Sequence, residues 1–235
     1  MINVGPFGRE GIEYKHIKGI YTGRMLVEES GCRMMQALAA CGVLSSRQML
    51  ALSGAGRYSR KVLPRLVEKG YLDCYESSSA PRLYSLSEKS AELFGVPYRV
   101  WDTSELLRLA AANQFWLQAR EIWPGSNWNA LGEVPVMVRS GVKYVVLSPR
   151  AGQFEKVLAV RHLNRARERV FVVAPDEETA LEIAVSCPPG RLVRYTWDDE
   201  LKDKFALYRF DGRMFVVDTV AASPKIFLEK SIENC

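Results

Sequence analysis

A chain of 235 residues can close one large core or two compact ones, since single cores commonly close at about 100 to 200 residues. Its 48% hydrophobic and 25% charged residues suit a globular protein, and no apolar run reaches the roughly 18 to 20 residues of a membrane span, which excludes a membrane protein of the helical kind. The net charge of +5 is a mild excess, and its meaning depends on where it sits.

The opening, MINVGPFGREGIEYK, lacks the basic then apolar pattern of a signal peptide, so a cytoplasmic location is expected. Glycines and a proline (Gly5, Pro6, Gly8, Gly11, Gly19, Gly23) make residues 1–27 an extended arm or short hairpin and not a long helix. From Glu28 the pattern changes. Met34, Met35, Leu38 and Ala39 recur at helical spacing behind Glu28 and Glu29, and Gly42 follows, which predicts a helix of about four turns. Ser45 and Ser46 offer N-caps to a short second helix carrying Met49, Leu50 and Leu52, closed by Ser53 and the Gly-Ala-Gly turn at 54–56. A third helix over 57–69 turns Val62, Leu63, Leu66 and Val67 inward and ends at Gly70. Two β-like runs, 71–75 and 82–86, are joined by the polar segment 76–81 and predict a hairpin. Ser87 then caps a fourth helix that ends at Gly95.

A linker leads to a long helix over 104–122 with a mostly apolar stripe of Leu106, Leu109, Ala110, Asn113, Leu117 and Arg120, which is expected to pack either two domains or two subunits together. VPVMVRSGVKYVVLSP predicts a hairpin turning at Ser140 and Gly141. A helix over 153–167, the apolar strand 169–175, the acid-started segment DEETALEIAVSC and the strand RLVRYTW make a β-α-β crossover. FALYRFDGRMFVVDTV predicts a closing hairpin with its turn at Asp211 and Gly212. The fold class is α+β, with the second half an α/β domain on a mixed sheet.

The charge is not spread evenly. Residues 45–72 hold six basic side chains (Arg47, Arg57, Arg60, Lys61, Arg65, Lys69) against the single acid Glu68, so this segment alone carries +5. RYSRKVLPRLVEKGYL, followed by a turn and RLYSLSEKSAELF, resembles the winged-helix superfamily of bacterial DNA-binding regulators. The resemblance covers about 70 residues, carried by LVEKGYL before the wing and by the Tyr84-to-Lys89 run after it. It implies an N-terminal winged helix-turn-helix domain over 28–97, after an arm at 1–27 and before a linker with long helix at 98–123 and the α/β domain at 124–235. A recognition helix reads bases near its N-terminal end and is positioned by phosphate contacts, which assigns DNA contact to Arg57, Tyr58, Ser59, Arg60, Lys61 and Arg65. Arg47 adds to the same basic segment, and Ser78 and Arg82 stand at the wing. Arg60 leads, because its guanidinium fork can bind a guanine edge bidentately. Pro64 departs from the pattern: either the helix bends there, or it begins there.

A second basic group (Arg150, Lys156, Arg161, His162, Arg165, Arg167, Arg169) surrounds the helix before the RVFVVAP strand. It extends a DNA surface, binds an acidic partner or is simply solvated. The layout as a whole is similar to the replication-relaxation proteins of plasmids and integrative elements, which implies a role in mobile-element replication or transfer. Some α/β domains of that kind are nuclease-like, but no acid-acid-lysine cluster stands in this sequence, so the second domain is expected to serve assembly or partner binding. His16 and His162 lack neighbours at metal-ligand spacing, and the five cysteines (Cys32, Cys41, Cys74, Cys187, Cys235) contain no CxxC pair. Reduced thiols are expected, with Cys32, Cys41 and Cys187 buried. Asp211 and Asp218 bracket a hairpin, where paired acids can hold Mg²⁺, though Asp211 is better explained by the turn. Phosphate-loop and dinucleotide motifs are missing from the sequence. The expectation is a non-enzymatic, cofactor-free binder of double-stranded DNA, a transcription or replication regulator that acts as a homodimer through the long helix or the α/β domain. The competing reading is a protein-interaction adaptor that docks through its winged helix, with a nuclease behind it.

Overall fold

A computed structural model describes residues 11–22, 29–53, 59–132, 134–150, 153–165, 167–187 and 192–222. The first half runs β1 (Lys15–Ile17), α1 (Glu29–Cys41), β2 (Leu44–Ser45), α2 (Ser46–Ser53), α3 (Ser59–Glu68), β3 (Leu72–Glu76), β4 (Leu83–Leu86) and α4 (Glu88–Phe94). Its sheet has the order β1-β3-β4-β2. From α1 to β4 this is the helix, strand, helix, helix, wing order of a winged helix-turn-helix. Met34, Leu38, Met49, Leu66 and Leu72 are completely buried where α1, α2, α3 and β3 meet, each contributing about 1.5–3 kcal/mol. Ser45 and Gln48 cap α2 reciprocally: Ser45 Oγ accepts from the Gln48 amide at 3.3 Å, and Gln48 Oε1 accepts from the Ser45 amide at 2.9 Å. α3 continues through Pro64, so the geometry in which the helix begins at that proline is not adopted.

The arm has a place that its glycines concealed. β1 pairs antiparallel with β3, His16 opposite Tyr75, and forms the outer edge of the wing sheet. Asp73 on β3 is completely buried and accepts three hydrogen bonds, from His16 Nε2 at 3.0 Å, the Gly19 amide at 2.8 Å and the Tyr98 hydroxyl at 3.0 Å. Burial, with the Asp73 carboxylate beside it, pushes the Tyr98 phenol up, so it remains a donor at neutral pH. His16 also stacks on Tyr75 at 4.9 Å. It is therefore a packing histidine that also fastens the arm. A Cβ on Gly70, at φ +72°, would stand 2.2 Å from the Ile20 carbonyl carbon, so only glycine lets the arm cross the end of α3 this closely.

α5 (Thr103–Ile122) starts on an Asp102–Glu105 capping box. Its mostly apolar stripe is an understatement: Leu106, Leu107, Leu109, Ala110, Ala111, Ala112, Phe115, Leu117 and Ala119 are all buried. The first half of α5 packs against Val43, Tyr75 and Leu83 of the winged helix, and the second half against Phe171, Val173, Phe205 and Leu207 of the other sheet. Asn113, buried between them, donates from Nδ2 to the carbonyls of Cys41 (3.1 Å) and Val43 (2.6 Å) and accepts from Trp128 Nε1 at 2.8 Å. Gln48 Nε2 donates to the Ala110 carbonyl at 2.7 Å. α5 thus packs the two halves of the chain together, the first of the two services expected of it.

The second half comprises β5 (Asn127–Asn129), β6 (Val136–Arg139), β7 (Val142–Leu147), α6 (Gln153–Arg165), β8 (Arg169–Ala174), α7 (Glu177–Val185), β9 (Val193–Trp197), α8 (Asp198–Asp203), β10 (Lys204–Phe210) and β11 (Phe215–Ala222). The seven strands lie in sequence order, with β7, β8 and β9 parallel and the outer pairings antiparallel. Alternation with period two sorts their side chains. Val145, Leu147, Val170, Val172, Val193 and Tyr195 join α6 and α7, while Val146, Phe171 and Val173 join α5, which makes three layers. The Ser140–Gly141 turn is confirmed, with Arg139 paired to Val142 and both turn residues at positive φ (49° and 77°). The last hairpin instead closes over four residues, from Phe210 to Phe215, and Asp211 Oδ1 accepts from the amides of Arg213 (2.8 Å) and Met214 (2.9 Å).

Candidate functional site

The candidate site is the outward face of the second and third helices of the winged helix with the wing beside it. Val62, Leu63 and Leu66 of α3 are buried, so the helical phase leaves Lys61, Pro64, Arg65 and Glu68 exposed on the opposite side. Lys61 and Arg65 point to solvent, and among the described residues neither makes an ion pair. Arg47, on α2, is exposed in the same way. Pro64 sits between the two cations on the same exposed face.

The other expected contacts divide into three groups. Ser59 and Arg60 open α3, where the helix dipole and free N–H groups favour an anion. Arg57 and Tyr58 lie outside the described residues. At the wing, Ser78 is exposed at the loop tip, whereas Arg82 makes a 2.8 Å ion pair with Glu76 across the base of the wing. Arg82 is therefore already supplied with a counter-charge at the strand ends, which leaves Arg47, Lys61 and Arg65 as the free cations of this face among the described residues.

The second basic group does not form one surface. Arg150 is buried, and its Nη1 donates to both Asp198 carboxylate oxygens at 3.0 Å, its Nε to the Ser148 carbonyl at 3.3 Å and its Nη2 to the Val173 carbonyl. It ties together the C-terminal ends of β7, β8 and β9, the edge at which parallel sheets commonly hold ligands. Arg150 is thus a structural cation and leaves the basic group. Lys156 pairs with Glu182, and Arg169 donates to the Tyr144 hydroxyl at 3.1 Å. His162 is half-buried, and Arg161, Arg165 and Arg167 are exposed.

The paired acids of the last hairpin are separately engaged. Asp211 is bound into its turn, and its carboxyl is held low by the Met214 and Arg213 amides. Asp218 pairs with Arg194 and Arg209. Among the described residues no group of three or more His, Cys, Asp or Glu is placed to hold a metal ion, and no helix is long and apolar enough to cross a membrane. Cys41 and Cys74 are buried thiols, while Cys32 and Cys187 are only half-buried.

Sequence reasoning missed Asp73, Tyr98 and Gln48 as holding groups. A signal existed for Gln48 alone, in the Ser-x-x-Gln spacing of a capping box. Compared with known protein families, curated proteins and solved structures, the chain matches none.

Proposed function

We propose that this chain binds duplex DNA through the outward face of α3, with α2 and the wing alongside, and acts as a homodimeric regulator of transcription or replication on a mobile element. The observation that carries the reading is the pair of solvent-facing cations, Lys61 and Arg65, one turn apart on the third helix of a helix-turn-helix. A helix so placed enters the major groove, its cations against phosphates and its N-terminal residues against base edges. Ser59 and Arg60 stand at that end, as do Arg57 and Tyr58 in sequence. Because α5 is internal, the α/β half is left to join the two copies. The mobile-element setting rests on the overall layout alone.

The test is fluorescence-anisotropy binding to duplex DNA over a salt series. Each phosphate contact contributes about 0.9 to the slope of log K against log salt. The variant Lys61→Ala/Arg65→Ala therefore flattens the wild-type slope by about 1.8. A double variant with wild-type affinity and slope sinks the assignment. Pro64 on the same face favours a second reading, docking of a protein on α3, which predicts no salt-dependent duplex binding by either form.

A further inference from the structure

The α/β half carries a second surface whose chemistry differs from that of α3. On α6, Val157, Val160, Arg161 and Asn164 follow one another at helical spacing and line, with Ile183 of α7 and Ser186 just past its end, a groove of about 450 Å³. The inner sides of both helices are satisfied, since Ala159, Leu163, Ala180, Ile183 and Ala184 are buried on the sheet. Val157 and Val185 are nonetheless 61% and 67% exposed, with Leu158 and Leu181 on the same two helices also exposed. Valine is a weak helix former, so exposed valines in two adjacent helices serve neither helix propensity nor the core. Val157 lines the groove itself, where a solvated helix normally carries a polar side chain.

The rim of the groove supplies the charge. Lys156 is matched by Glu182 across the groove. Arg161 and Arg165, one turn apart on α6, are exposed, and neither makes an ion pair among the described residues. Like charges at this spacing repel each other until an anion arrives. An apolar floor between two helices, with unmatched arginines along one wall, fits a third helix with an apolar stripe flanked by acids. A nucleic-acid backbone would answer the arginines but leave Val157 in water.

We propose that the α6/α7 groove is the docking site for an acidic amphipathic helix of a partner protein. Its apolar residues lie on Val157 and Val160, and its carboxylates meet Arg161 and Arg165. The groove is on the sheet face opposite α5, and the reading is independent of whether α3 binds DNA.

The experiment uses the full chain as bait for a displayed library of amphipathic helices whose apolar stripe is fixed and whose flanking positions are randomised. Selection at near-physiological salt is expected to enrich Asp and Glu at the flanks. The variant Arg161→Glu/Arg165→Glu, both positions exposed, reverses the preference to Lys and Arg. An enriched peptide, followed by anisotropy, binds the charge-reversed variant at least about tenfold more weakly, and Val157→Asp weakens it without changing the charge preference. Far-UV circular dichroism checks that the variants fold. The proposal is overturned if no helices are enriched, if the flanks show no charge preference, or if short duplex DNA displaces the peptide with the same dependence on Arg161 and Arg165.

Discussion

Asp198→Asn removes one charge from the most deeply buried ion pair described here. The guanidinium of Arg150, 2% exposed, and the carboxylate of Asp198, 8% exposed, meet through two 3.0 Å contacts. An asparagine keeps one acceptor oxygen but turns an amide N–H₂ toward a cation that water cannot reach. Breaking a buried pair by neutralising one partner costs about 3–5 kcal/mol, against a total stability of about 5–15 kcal/mol. At this chain length each kcal/mol moves Tm by about 2–4 °C, so a fall of roughly 6–20 °C is expected. Urea unfolding of Asp198→Asn, Arg150→Met and the double variant closes a thermodynamic cycle. The double variant should lose less than the sum of the singles, with a coupling of about 1–3 kcal/mol, because it carries no orphaned charge. A loss below about 1 kcal/mol for Asp198→Asn, or additivity within about 0.5 kcal/mol, refutes the argument that this pair is desolvated and coupled.

Two further outcomes are expected. Light scattering should find dimers at micromolar concentration, and a dimer should survive Lys61→Ala/Arg65→Ala because the proposed interface lies on the α/β half and not on α3; monomer alone removes the dimer from the proposed function. Burial pushes the Cys41 thiol up to about 12 and the Cys74 thiol to about 11, from an ordinary 9.0. The stabilisation linked to these two neutral thiols is complete below pH 9 and is lost as pH rises through 9 to 12, because the unfolded chain releases its protons first. Urea midpoints should fall across that window, and at pH 8 iodoacetamide should leave both cysteines unmodified in the native protein; alkylation at the unfolded rate contradicts their burial.

Local pattern carried the elements whose partners are near in sequence. Ser140–Gly141 announced its hairpin, Ser87 and Asp176 their helices, and the inward residues of α3 set the helical phase that exposes Lys61 and Arg65. What stayed hidden depends on partners far along the chain. Three residues of a glycine-rich arm become a strand only because β3 lies beside them, 57 residues on from His16 to Asp73. Arg150 counted as a surface cation until its counter-charge arrived 48 residues later. Asn113 stood within an apolar stripe without comment, since the carbonyls that it binds come from 70 and 72 residues away. β2 and β5, of two and three residues, are too short for alternation to register.

Because α5 is buried by both halves at once, the boundary between the two halves of the chain passes through the inside of one helix. Cutting the chain on either side of it would leave one fragment with a naked apolar face and the other with a helix that has lost half of its neighbours. Nor can the winged helix swing freely on a tether: the Asn113 and Gln48 bonds hold α1, β2 and α2 to a rod whose far end is packed into the seven-stranded sheet. The face of α3 and the α6/α7 groove are therefore held at a fixed distance and angle by one shared helix.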